Sequence, residues 1–76
     1  MLTEQETTIV MSEAGSAALG LKSSIRKGVE PNVEHSWSYA LMGAIKNYVG
    51  TEKLAEMKLL YIQTFNKKVQ VIKSRA

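Results

Sequence analysis

Apolar residues recur at steps of three and four through three stretches of this 76-residue chain, the spacing of helices that each bury one face. The first stretch opens with Thr3 and Glu6, a capping-box spacing in which the hydroxyl accepts the Glu6 amide and the carboxylate reaches back to Thr3. A helix is therefore expected from Glu4. Its stripe is Val10, Ala14, Ala17, Leu21 and Ile25, and Arg26, Lys27 and Gly28 suit its C-terminal end. Gly15 and Gly20 each cost about 1 kcal/mol relative to Ala inside a helix, so the segment reads either as one kinked helix or as two short ones broken between them. The small side chains from Ala14 to Ala18 allow a neighbouring helix to approach closely.

Gly28-Val29-Glu30-Pro31-Asn32 reads as a connection, because the residue before a proline is pushed out of helical geometry and proline suits a first helical turn. A second helix is expected from Pro31, with Val33, Trp37, Ala40, Leu41, Ala44, Ile45, Tyr48 and Val49 on its buried stripe. Gly50 supplies a C-cap and Thr51 an N-cap, which predicts a tight antiparallel hairpin with a two-residue loop. The third helix runs from Glu52, with Leu54, Met57, Tyr61, Phe65, Val69 and Ile72 on one stripe and Ala55, Leu59 and Ile62 widening it. The pattern weakens after Asn66, so helix is expected to about Lys68 and a frayed basic tail over 69–76. The reading is all-α: one domain over 1–76, a small bundle of three to four helices built on the hairpin of the second and third helices, with the first helix packed across it.

Composition narrows the chemistry. With no cysteine and only His35, disulfide scaffolds and thiolate or histidine-rich metal sites are excluded, and no metal or cofactor is expected. Apolar content of 45% with 22% charged residues and one proline is globular rather than disordered. No apolar run approaches the 18 or so residues of a membrane span, so a soluble, cytoplasmic protein with no membrane partner is expected. The net charge of +3 is modest but polarised. Residues 1–21 carry Glu4, Glu6 and Glu13 with no Lys or Arg, while residues 57–76 carry Lys58, Lys67, Lys68, Lys73 and Arg75 with no acid. In the middle Lys22, Arg26, Lys27, Lys46 and Lys53 nearly balance Glu30, Glu34, Glu52 and Glu56.

No catalytic constellation assembles. Glu34, His35, Ser36 and Ser38 are neighbours at the start of a helix and so point to different sides, and no glycine-rich phosphate loop is present. A small-molecule substrate is not expected, and the chain does not read as an enzyme. Of the aromatics, Trp37, Tyr48, Tyr61 and Phe65 lie on core stripes; Tyr39, near Met42 and Lys46, lies off them and is the one expected to be exposed. The segment from Gly50 to Glu56 resembles the entry to a helix-turn-helix, but Leu59 stands where a turn former belongs, followed by Leu60-Tyr61-Ile62 with no break.

The basic C-terminal segment carries the strongest functional signal, because clustered cations suit an anionic partner as well as a helix dipole. Lys67, Lys68, Lys73 and Arg75, flanked by Lys58 and Lys46, are the expected contacts for weak, non-specific nucleic-acid binding. The short capped helices and the stretch Asn66-Lys67-Lys68 to Arg75 resemble small accessory proteins of large double-stranded DNA phages, and the helicase-and-RNase-D C-terminal module in particular. That resemblance implies a nucleic-acid accessory role in recombination, repair or replication. It also implies four or more helices, the fourth of which a break between Gly15 and Gly20 supplies. The rival expectation is a protein-interaction or self-association module, docking through Ala14, Ala17 and Ala18 or through the wide apolar face of the third helix.

Overall fold

In the computed structural model, which describes residues 1–75, the first helix, α1, spans Glu4–Gly20. The expected capping box is present: the Thr3 amide donates to Glu6 Oε1 at 2.8 Å and the Glu6 amide donates to Thr3 Oγ1 at 3.1 Å. The helix then breaks at Leu21, after Gly20 rather than between the two glycines. The remainder forms a short second helix, α2, Lys22–Arg26. Gly28 closes it at φ 88°, with the Val29 amide donating to Ser24 O at 3.0 Å, the bond of a Schellman cap that a left-handed glycine makes accessible.

Asn32 caps the third helix, α3, Val33–Met42, by accepting the His35 amide at 3.0 Å. Here the structure departs from the expected helix to Val49. At Gly43 the chain leaves the helix, turns, and makes a single 3-10 turn at Lys46–Tyr48 before Gly50 (φ 88°) redirects it. A glycine inside a helix costs little to unwind, and unwinding drives Ile45 fully into the core while Ala44 and Val49 are exposed. Thr51 does not cap the next helix. Its hydroxyl donates to Tyr48 O at 2.8 Å, and Glu52 occupies the cap position without a side-chain bond.

The fourth helix, α4, Lys53–Ser74, is longer than expected. Its 22 residues correspond to about 33 Å of helix, nearly the whole 37 Å length of the molecule. Residues 69–74 are helical rather than frayed because Val69 and Ile72 continue the buried stripe of Met57, Tyr61 and Phe65; residue 76 of the expected tail lies outside the described residues. No turn interrupts α4, so it contains no helix-turn-helix.

The bundle is all-α, with four helices and no strand among the described residues. Its main pairing is α1 against α4, not the expected α3–α4 hairpin. The two run in the same direction: Glu6 meets Lys53 near their starts, and Leu19 lies beside Val71 and Ile72 near their ends. The chain crosses back between them through α2 and α3. Val10, Ala14 and Ala18 of α1 join the core with the α4 stripe, Ile25, Trp37, Ala40 and Ile45. Ala14 and Ala18 of the small α1 face anticipated as a docking surface are thus buried inside the molecule, as are Met57, Tyr61 and Phe65 of α4, while Ala17 stays half-buried. Trp37 packs edge-on to Tyr61 at 5.3 Å between centroids, and Tyr61 stacks near Phe65 at 6.2 Å. Burial pushes the Tyr61 phenol above its ordinary range; the charge of Glu13 adds to this and a hydrogen bond with Ser36 opposes it. No helix of the described residues is long and apolar enough to cross a membrane.

Candidate nucleic-acid interface

The two ends of the molecule differ in how their charges are used. At the end where α1 and α4 begin, Lys53 Nζ donates to both carboxylate oxygens of Glu6, at 3.0 and 3.1 Å, across 47 residues of sequence. Glu6 is only 7% exposed and also accepts the Thr3 amide. That backbone bond first, and the Lys53 ammonium second, lower its carboxyl to about 2; the same contact raises Lys53. Beside it the Met1 amino group lies 3.1 Å from Glu56. Cation and anion here neutralise each other.

The opposite end is cationic. Three long stretches of the chain contain no acid, 14–29, 35–51 and 57–76, and the parallel pairing of α1 with α4 brings the ends of the first and the last together. Lys22 and Arg26 of α2 share a surface depression with Lys68 of α4 and Arg75 at its C-cap, lined also by Leu19 and Ile72. Lys27 continues the cationic surface along α2, and Lys67 is exposed one position before Lys68. None of these six makes an ion pair with another described residue. Lys22, Arg26, Lys68 and Arg75 share their depression with Leu19, Val71 and Ile72, apolar side chains against which long cationic stems can pack.

The six residues expected from sequence divide into three groups. Lys67, Lys68 and Arg75 belong to the cationic end. Lys58 and Lys73 face carboxylates instead, at 3.1 Å from Glu34 and 2.9 Å from Glu30. Lys46 sits in the 3-10 turn that leads into the start of α4, most of the molecule's length from Arg75. Sequence reasoning missed Lys22, Arg26 and Lys27, which it balanced against Glu30 and Glu34. The signal that finds them is the acid-free run 14–29 itself.

On the other side of α2 lies a groove of about 480 Å³ between α1, α2 and the start of α3. Its floor is Ala17, Leu21 and Ile25, and its rim carries Tyr39, which is 61% exposed as expected. His35 meets the Tyr39 ring edge-on at 4.9 Å. Among the described residues no cluster of three His, Asp or Glu side chains is placed to hold a metal. Comparison with known proteins gives no match, whether by family model, by sequence against curated proteins or by fold against solved structures.

Proposed function

We propose that the chain is a small non-enzymatic accessory module that binds nucleic acid weakly and without sequence specificity, through phosphates. The observation that carries this reading is the convergence of Lys22, Arg26, Lys68 and Arg75, from two helices, on one depression without a carboxylate among its lining residues. Phosphate contact needs neither a groove-reading helix nor a catalytic group. Lys22, Arg26, Lys27, Lys67, Lys68 and Arg75 are the contacts, and Lys58, Lys73 and Lys46 are not.

Titration of isotope-labelled protein with short DNA at low and moderate salt tests it. Amide shifts are expected to cluster on 22–27 and 67–75 and to fade with salt. If all six cations reach phosphates, the slope of log affinity against log salt on duplex DNA is roughly −5. The double substitution Lys22→Gln with Arg26→Gln should flatten that slope by about 2, whereas Lys58→Gln should leave it unchanged. Affinity that ignores salt, with a mass that rises with concentration, would instead favour an interaction module.

A further inference from the structure

α2 divides two surfaces of opposite character. Lys22, Arg26 and Lys27 line one side of it and Leu21, Ser24 and Ile25 the other, and Gly20 borders both. At Gly20 no side chain separates them, and nothing stands within 4 Å of where a Cβ would project, so the cationic surface runs over a low saddle into the groove. An occupant of both must carry negative charge within a helix's width of a flat apolar body.

The groove also specifies polar edges. Asn32 uses its Oδ1 on the His35 amide, which leaves its side-chain NH₂ to donate; Ser16, Ser24 and Ser36 line the same walls, as does Glu30, whose carboxylate is paired with Lys73 at 2.9 Å. An acyl chain would strip water from these groups without replacing its hydrogen bonds, a costly exchange. A heterocycle with donors and acceptors around its rim satisfies them. Tyr39 offers an exposed ring at the mouth, its orientation steadied by His35, and such rings stack on bases of any identity. A volume of about 480 Å³ lies within the range of small-ligand pockets.

We infer that the groove between α1, α2 and α3 receives one unstacked nucleobase of a single strand, held against Tyr39, while the flanking phosphates cross the saddle at Gly20 to Lys22, Arg26 and Lys27. This rests on the nucleic-acid reading above and adds strand preference to it, because a base inside a duplex is stacked and cannot enter.

The test compares a short single-stranded DNA with an abasic strand of the same length, on the full chain. Both strands should shift the amides of Lys22, Arg26 and Lys27; only the base-bearing strand should shift Ser16, Ser24 and Tyr39. The affinity ratio of base-bearing to abasic strand should fall roughly tenfold in Tyr39→Ala and be retained in Tyr39→Phe. The exposure of Tyr39 makes both variants safe for the fold. Shifts confined to the cations with both strands, or a ratio indifferent to Tyr39→Ala, overturn the base pocket and leave phosphate binding standing. Failure of both strands to bind at low salt overturns the two readings together.

Discussion

Two of the five glycines, Gly15 and Gly28, meet opposite physical demands. Gly15 lies inside α1 with ordinary helical backbone, and nothing stands within 4 Å of an added Cβ. Alanine there narrows the unfolded ensemble without a clash, so Gly15→Ala should stabilise the protein by about 1 kcal/mol. Gly28 adopts φ 88° to close the cap on α2, a conformation in which a Cβ meets the following carbonyl. Gly28→Ala should cost about 1–2 kcal/mol. Chemical denaturation of both variants checks the pair, and the informative result is the change of sign. Gly28 is also where the cationic surface of α2 ends, so its loss should loosen the spacing of Arg26 and Lys27.

At the scale of elements, α4 carries the bundle, and its last two turns are the part that periodicity alone undervalues. Ile72 is 4% exposed and belongs to the core with Val69 and Ile25. Ile72→Ala should therefore cost about 2–5 kcal/mol in urea unfolding, where a frayed tail would give almost nothing. The reason the tail looks frayed in sequence is that Lys67, Lys68, Gln70 and Lys73 surround only two core residues, and nothing local shows that α1 and α2 will cover them. Features decided within a few residues were legible: the Thr3–Glu6 box, the Gly28 cap, the α4 stripe and the exposure of Tyr39. Features decided by packing were not. Ala44, Ile45, Tyr48 and Val49 fit a continued helix as well as the turn that begins at Gly43, and burying Ile45 selects the turn. Likewise half of the cationic surface could be read from the acid-free end of α4, but its α2 half depends on α1 and α4 running parallel. Glu30 and Glu34, which appeared to neutralise that half, pair with Lys73 and Lys58 instead.

Across the whole molecule, the parallel arrangement makes the long axis electrically asymmetric: Glu6–Lys53 and Met1–Glu56 are paired at one end, while at the other six cations without described carboxylate partners surround the single Lys73–Glu30 pair. For the partner proposed above, such a field would draw its phosphates to the α2 end before contact. The paired end has a different role: the Glu6–Lys53 contact ties the start of α1 to the start of α4, the residues from which the long core pairing extends. Its pH dependence follows from the sign of the shifts. Glu6 is lowered from 4.5 to about 2 in the fold, so the unfolded chain binds its proton first as pH falls. Stability from this contact is full above about 4.5 and is lost progressively down to about 2. Lys53 is raised above 10.5, so its contribution is full below that value and declines as pH rises through it. The stability difference between wild type and Glu6→Gln should hence be constant through the neutral range and shrink between about 4.5 and about 2, as read by urea unfolding at a series of acidic pH values. A difference that persists unchanged at the acid limit would mean that Glu6 acts by packing and by its cap geometry rather than by charge.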